Sequence, residues 1–136
     1  MSDTWLALEE KTVIVTGGAS GIGKHVVQGL RQAGAAVAVF DLSVEDGLDP
    51  DTGARTYKVD ITDPDSVEAA VARVCGELGD VTTLVNNAGV NVPRLLVDVK
   101  GEGPQYELDV KAFDFMFAVN VRGAFLVAQA VARRLT

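Results

Sequence analysis

Cysteine and histidine are almost absent from the chain, and their scarcity excludes several kinds of site. Cys75 is the only cysteine and His25 the only histidine among 136 residues. A single cysteine cannot form an intrachain disulfide, which favours a reducing compartment. Because His25 falls in a different predicted element, we interpret Cys75 as a small buried hydrophobic residue rather than as a nucleophile. We expect no metal site.

Positive charge and long apolar runs are also scarce. Twelve basic against nineteen acidic residues give a net charge of −7, which argues against binding to a nucleic-acid backbone. The first five residues lack the positive and apolar regions of a signal peptide. Arg, Gly, Asp or Lys interrupts every hydrophobic stretch before it approaches membrane-spanning length. We therefore expect a soluble, cytoplasmic protein with no nucleic-acid or membrane partner.

The chain does have enough apolar residues for one compact core. Hydrophobic residues make up 48% of the sequence and charged residues 23%, and the length suits a single domain over residues 1–136. Four short apolar runs predict strands. The first run is continuous and β-branched, which is typical of a strand buried on both faces. The predicted strands are Lys11–Thr16, Ala36–Phe40, Arg55–Val59 and Thr82–Val85.

Apolar residues at helical spacing predict three helices. The first follows a glycine-rich turn and ends at Gly34, and the second has Thr62 as its N-cap and ends at Gly79. A third, from Phe113 to Arg134, is apolar on more than one face, so we expect its sheet and another element or subunit to cover it. Residues 42–54 predict a loop with room for one short turn of helix. Residues 90–110 predict a long connection.

The order of the predicted elements is β-α-β-loop-β-α-β-loop-α. Strands that alternate with helices favour parallel pairing and right-handed crossovers. We therefore predict an α/β fold of the Rossmann type, a doubly wound parallel sheet with strand order 3-2-1-4 and flanking helices.

The glycine-rich turn joins the first strand to the first helix. It reads T-G-G-A-S-G-I-G from Thr16 to Gly23, with glycines at 17, 21 and 23. Glycines there permit a tight exit from the strand, close approach of a pyrophosphate and close helix packing, and the N-terminus of the helix would face the same anion. The turn predicts a dinucleotide site, and a plain turn is the alternative. A Walker loop is excluded because no Ser or Thr follows Lys24.

Asp41 ends the second predicted strand, eighteen residues beyond Gly23. A carboxylate at this place can accept hydrogen bonds from both hydroxyls of an adenosine ribose and repels a 2′-phosphate. Leu42 and Ser43 follow it, not an arginine that would bind a phosphate. Asp41 therefore predicts NAD rather than NADP as the cofactor. A solvated acid at a strand end is the alternative.

These residues resemble the short-chain dehydrogenase/reductase family over essentially the whole chain. The turn matches the family's T-G-x-x-x-G-x-G signature, residues 86–89 match its N-N-A-G strand terminus, and Asp60 is similar to its acid beside the adenine. Asn120 resembles the catalytic-tetrad asparagine, which sits in a kinked helix and binds a water of the proton relay. The resemblance implies these cofactor-binding residues: Gly17, Ser20, Gly21, Ile22, Gly23, Asp41, Asp60, Ile61, Asn87, Ala88 and Gly89.

Each motif residue also has an ordinary structural interpretation. Asp60 can be an acid near a helix start, and Asn86 and Asn87 can be turn formers. Asn120 can be a polar position in the middle of a helix that Gly123 bends. Only the family resemblance favours the catalytic interpretation of Asn120.

The family's remaining catalytic groups, a serine and a Tyr-x-x-x-Lys pair, are not in this sequence. Tyr57 lies on a predicted strand, and Val110 stands four residues after Tyr106. The resemblance therefore implies the N-terminal half of such an enzyme, incomplete at Thr136. We expect no dehydrogenase activity from the chain alone, weakened NAD affinity, and dimers or larger homo-oligomers formed through the exposed edge strand and last helix.

Two functions remain open at this point. The first is the NAD-binding portion of an enzyme that transfers hydride at a secondary alcohol or ketone. The segment after residue 89 resembles sugar-alcohol dehydrogenases of the sorbitol-6-phosphate type, and Arg94 could meet an anionic substrate, although solvated loop arginines are commoner. The second is a stand-alone dinucleotide-binding or interaction module. Asp41 and the N-N-A-G segment exclude a flavodoxin-like regulator.

Overall fold

The computed structural model describes residues 5–135. Most of the N-terminal segment that we interpreted as lacking a signal peptide lies outside the described residues. Five strands form a single sheet in the order β3-β4-β2-β1-β5. The strands are β1 (Thr12–Thr16), β2 (Ala36–Asp41), β3 (Gly47–Leu48), β4 (Arg55–Lys58) and β5 (Thr83–Val85).

The four strands predicted from the sequence pair as expected. β1 pairs in parallel with both β2 and β5, and β2 pairs in parallel with β4. Numbered along the chain, these four strands have the order 3-2-1-4. The doubly wound α/β fold is therefore confirmed, and β5 lies at one edge of the sheet.

The loop over residues 42–54 contains a strand that we did not predict. β3 pairs antiparallel with β4, with Gly47 opposite Thr56 and Leu48 opposite Arg55. Two exposed residues have no alternating pattern that could predict a strand. The pairing with β4, a tertiary contact, therefore defines β3.

The helices lie where they were predicted, with differences at their first residues and at the end of the third, which stops at Ala132 rather than Arg134. They are α1 (Gly21–Gln32), α2 (Pro64–Leu78), α3 (Val110–Phe117) and α4 (Ala124–Ala132), with a π-helical segment (Ala118–Gly123) joining the last two. The third predicted helix begins earlier than Phe113 because Asp109 caps it, accepting a hydrogen bond of 2.7 Å from the N–H of Ala112. It therefore includes the end of the predicted connection.

The N-cap of α2 is Asp63, and the prediction of Thr62 is wrong. Asp63 accepts a hydrogen bond of 3.0 Å from the N–H of Asp65. Pro64 takes the first helical position, and a residue before proline is driven to extended backbone, which suits an N-cap. The hydroxyl of Thr62 instead donates to Asp60, at 2.6 Å.

Two hydrophobic clusters cover the two faces of the sheet. Val13, Val15 and Val39 pack with Val27 of α1 on one face. On the other face, Ile14 belongs to a larger cluster that includes side chains of α2 and α4: Val67, Val71, Val74, Val127, Ala130 and Val131. Successive residues of β1 point to opposite faces of the sheet, and both faces are covered. The prediction that the continuous apolar run is a strand buried on both faces is therefore confirmed.

The long helical stretch Val110–Ala132 is exposed on one side. Its apolar residues that reach solvent are Val110, Phe113, Phe115, Phe117, Val121 and Phe125. By length and composition alone it could cross a membrane. The expectation that no apolar stretch approaches membrane-spanning length is therefore wrong. Asp114 and Arg122 interrupt this stretch, but its mean hydropathy stays high enough for a membrane-spanning helix. On its other side, α4 is buried in the core, where it packs against α2, whereas α3 has no buried residue.

Candidate functional site

A cleft of about 470 Å³ opens where β1, β2 and β5 end. This is the side of a doubly wound sheet on which ligands bind, at the point where the strand order reverses. The structure brings ten of the eleven predicted cofactor residues to its walls, leaving out Gly21: Gly17, Ser20, Ile22, Gly23, Asp41, Asp60, Ile61, Asn87, Ala88 and Gly89.

The turn between β1 and α1 requires glycine for two different reasons. Gly17 and Gly21 have φ angles of +66° and +57°, the left-handed region in which other residues are strained. Gly23 has ordinary helical backbone, but a Cβ there would overlap the carbonyl oxygen of Gly17 and lie 2.6 Å from Nδ2 of Asn87. The absent side chain lets α1 begin directly against the end of β1.

The N-terminus of α1 faces the cleft with unused hydrogen-bond donors. The first N–H groups of a helix have no partner within it. Ser20 holds the N-cap position but makes no side-chain capping bond, and the first turn contains no acidic residue. These donors and the positive end of the helix dipole suit an anion such as a pyrophosphate.

Asp41 is held in a fixed position across from this helix end. One carboxylate oxygen accepts the N–H of Ala19 at 3.2 Å. The other accepts the N–H and the hydroxyl of Ser43, at 3.0 and 2.8 Å. No lysine or arginine within the described range forms a salt bridge with Asp41. A fixed carboxylate without a cationic partner can accept hydrogen bonds from a ligand's hydroxyl groups.

Asp60 takes part both in a local turn and in the cleft wall. Its Oδ1 accepts the N–H of Thr62 at 2.9 Å as well as that residue's hydroxyl, and its own N–H donates to the hydroxyl of Ser66. These bonds agree with the interpretation of Asp60 as an acid near a helix start. The same residue also lines the cleft.

Residues 86–89 fasten β5 to β1 and to the last helix. The hydroxyl of Thr16 accepts the N–H groups of Asn87 and Ala88, at 3.0 and 2.9 Å. Nδ2 of Asn87 donates to the carbonyl of Thr16 at 3.1 Å, and Nδ2 of Asn86 donates to the carbonyl of Ala124 at 2.8 Å. We did not single out Thr16 as a site residue, but its buried hydroxyl anchors this part of the cleft.

Asn120 lies in the π-helical segment and is not among the residues that line the cleft. Its Oδ1 accepts the N–H of Val90 and its Nδ2 donates to the carbonyl of Val90, each at 2.8 Å. A Cβ on Gly89 would lie 3.2 Å from the same Oδ1. Because Val90 occupies both polar atoms of the side chain, Asn120 holds the segment after Gly89 in place.

The apolar wall of the cleft is the part that the sequence did not reveal. It consists of side chains that we did not assign to the site: Phe40, Leu42, Val59, Val90, Phe115 and Val119. Phe115 is half exposed, and only tertiary packing brings α3 to the cleft. A flat apolar ring is the kind of ligand group that such a wall accommodates. No cluster of three or more potential metal ligands occurs among residues 5–135.

Comparison with known proteins gives consistent matches. A family model described as short chain dehydrogenase matches residues 11–136. The chain is 40% identical to sorbitol-6-phosphate 2-dehydrogenase from Klebsiella pneumoniae over 98% of its own length and 50% of that protein. It is 38% identical to D-threitol dehydrogenase from Mycolicibacterium smegmatis, over 94% of this chain and 48% of the relative. A solved short-chain dehydrogenase/reductase from Serratia marcescens has a TM-score of 0.75 at 33% identity, covering 94% of this chain and 54% of that one. The chain thus spans about half the length of these relatives.

Proposed function

The chain belongs to the short-chain dehydrogenase/reductase family, and from this we propose that it is the NAD-binding portion of an oxidoreductase. Members of the family are oxidoreductases that depend on a nicotinamide dinucleotide. The observation that carries the proposal is the position of Asp41, fixed at the end of β2 in the cleft that the N-terminus of α1 also faces.

The residues of the cleft fit the parts of NAD in order. The N–H groups around Ser20 and Ile22 would bind the pyrophosphate, since the helix end carries a partial positive charge and no acid opposes it. Asp41 would accept the hydroxyls of the adenosine ribose. The adenine would lie near Asp60 and Ile61, against the apolar wall. The bound nicotinamide supplies the hydride acceptor or donor, and the protein supplies binding and orientation.

Asp41 supports NAD over NADP on electrostatic grounds. A 2′-phosphate on the ribose would meet a carboxylate that has no cationic partner among the described residues. The residues after it, Leu42 and Ser43, supply no positive charge. Two like charges in contact at a half-buried site are unfavourable, so the phosphate would be rejected.

For the substrate we propose a secondary alcohol or ketone of the polyol class, phosphorylated polyols included. The names of two relatives, a sorbitol-6-phosphate 2-dehydrogenase and a D-threitol dehydrogenase, support a polyol. Arg94 is exposed on the segment after residues 86–89, and its Nη1 donates a hydrogen bond of 2.8 Å to the carbonyl of Pro93. Its charge is thus available to an anionic substrate.

We propose that the 136 residues alone do not turn over substrate. They contain no Tyr-x-x-x-Lys pair. Tyr57 is buried, its hydroxyl donates to Glu77 at 2.7 Å, and it is not among the residues that line the cleft. The exposed β5 edge and the exposed apolar side of the last helix support assembly into homo-oligomers. With a single cysteine, the chain also suits the cytoplasm.

Calorimetric titration with NAD and NADP tests the cofactor proposal. We expect saturable binding of NAD and weaker binding of NADP. Equal affinity for the two dinucleotides would contradict the role of Asp41, and no heat with either would contradict the cofactor site. NAD affinity as tight as in intact dehydrogenases would instead favour the second candidate, a stand-alone dinucleotide-binding module.

A further inference from the structure

Residues 42–46 form a loop after Asp41, and a second aspartate, Asp46, fixes the far end of this loop. Asp46 accepts the backbone N–H of Lys58 on one carboxylate oxygen, at 2.9 Å. Its other oxygen accepts Nη1 of Arg73, a residue of α2, at 2.7 Å. The segment 42–46 is thus fixed at both ends, since Ser43 is bonded to Asp41 at its beginning.

Arg73 is itself fixed by the core of the protein. Its guanidinium lies over the ring of Tyr57, 5.1 Å from the centroid, and Nη2 bonds to Glu77 at 3.3 Å. Tyr57 is buried and meets Phe40, a residue of the cleft wall, edge to face at 5.9 Å. Arg73 therefore connects the loop to a rigid aromatic pair and does not simply extend into solvent.

Asp46 and Arg73 each stabilise the charged form of the other. The backbone N–H of Lys58 and the guanidinium of Arg73 hold the pKa of Asp46 below its usual value. Asp46 in turn raises the pKa of Arg73 above its usual value. Both groups therefore stay charged in the neutral pH range.

We propose that Arg73, which lies on α2 outside the cleft, is a positioning residue for cofactor recognition. By holding Asp46 it fixes the loop 42–46 and, through Ser43, the direction of the Asp41 carboxylate. This inference rests on the proposed NAD site. A purely structural role of Arg73 would affect stability alone. The positioning role also predicts weaker NAD binding when Arg73 is replaced, and it predicts that this loss requires the Asp41 carboxylate.

A double-mutant cycle tests this route. The variants are Arg73→Gln, Asp41→Asn and the two combined, with calorimetric affinity for NAD as the readout. Both Arg73 and Asp46 are 48% exposed, and exposed ion pairs contribute little, so we expect Arg73→Gln to weaken NAD binding only about threefold. In the Asp41→Asn background the same substitution should have no further effect, because the group that it positions has been altered.

Three further variants separate positioning from charge and from general stability. Asp46→Asn should weaken NAD binding as much as Arg73→Gln, since it removes the same ion pair. Arg73→Lys should recover part of the loss. Arg133→Gln is the matched control, because it removes a charge of the same sign from a 2.6 Å pair with Glu68 of α2, away from the loop. It should leave NAD affinity unchanged.

The outcomes distinguish the inference from the function on which it rests. If the unmodified chain binds NAD and Arg73→Gln binds it equally well, or if the losses from Arg73→Gln and Asp41→Asn add, the inference is overturned and the cofactor site stands. If the unmodified chain binds no NAD, both are overturned. Amide hydrogen exchange of the ligand-free chain gives a second readout, in which Arg73→Gln should accelerate exchange in residues 42–46 and not in α1. Unchanged exchange in that loop would also contradict the inference.

Discussion

Asn120 and Val90 are joined by two hydrogen bonds of 2.8 Å, one in each direction. The side-chain amide thus pairs with a backbone N–H and carbonyl as a neighbouring strand would. Asn120 belongs to a six-residue π-helical segment. Val90 directly follows residues 86–89, which come after β5. The two bonds therefore hold the π-helical segment and the start of the long connection in a fixed position relative to each other.

Replacing Asn120 with alanine removes both bonds and should lower the free energy of unfolding by about 1–2 kcal/mol. The loss is limited because Asn120 is exposed and Val90 is only partly buried, so water can replace the amide. Urea denaturation measures the change. Gln129→Ala is the matched control, an exposed amide of α4 for which the structure shows no side-chain hydrogen bond. Equal stability of Asn120→Ala and Gln129→Ala would contradict the pairing.

Two glycines of α1 should respond oppositely to alanine. A Cβ on Gly23 would overlap the carbonyl oxygen of Gly17, whereas a Cβ on Gly29 meets nothing within 4 Å. We expect Gly23→Ala to lower the free energy of unfolding by about 1–3 kcal/mol and to abolish NAD binding, since α1 must move away from β1. Gly29→Ala should raise it by about 0.5–1 kcal/mol, because alanine restricts the unfolded chain and favours helix.

Thermal and urea denaturation of the two variants give the comparison directly. If Gly23→Ala were as stable as the unmodified chain and bound NAD, the close contact between α1 and β1 would not constrain the turn. A destabilised Gly29→Ala would mean that the outer side of α1 is covered.

The elements that could be predicted from the sequence are those whose signal lies within a few neighbouring residues. The glycine turn and the run Val13–Val15 identify β1, the turn and α1 because each signal lies within a few residues. The antiparallel strand β3 and the contact of Asn120 with Val90 could not be predicted, since both depend on segments distant in the sequence. Phe115 reaches the cleft for the same reason. The N-cap of α2 was mistaken by one position because Pro64 decides it, and the sequence carried that signal.

The exposed side of the last helix should mediate self-association. Phe113 and Phe117 stack at 4.7 Å, and Val121 and Phe125 continue the same exposed apolar surface. We expect dimers or larger species in sedimentation at micromolar concentration, and Phe125→Glu should shift them toward monomer. Val99→Glu is the control, because it places the same charge at an apolar loop position that is more exposed still, 88% against 58% for Phe125. A monomeric unmodified chain would contradict the expectation.

The bond between Tyr57 and Glu77 should make the chain lose stability at alkaline pH. Burial raises the pKa of Tyr57 above 10, and the hydrogen bond and negative charge of Glu77 raise it further. The folded state therefore keeps the phenol proton at pH values where the unfolded chain releases it. The stabilisation is complete below the unfolded pKa of about 10 and falls as pH rises from there through the folded pKa.

The size of this alkaline effect has an upper limit. One proton released on unfolding changes the free energy of unfolding by at most about 1.4 kcal/mol per pH unit. Urea denaturation between about pH 9 and 11 should show this slope in the unmodified chain in addition to that of other groups, and Tyr57→Phe should remove it. In Tyr106→Phe, Tyr57 is the only tyrosine, so the phenolate absorbance of that variant reports Tyr57 alone and should appear well above pH 10. Ionisation near pH 10 in the folded variant would contradict the burial of the hydroxyl against Glu77, and with it the anchoring of Arg73 on the Tyr57 ring.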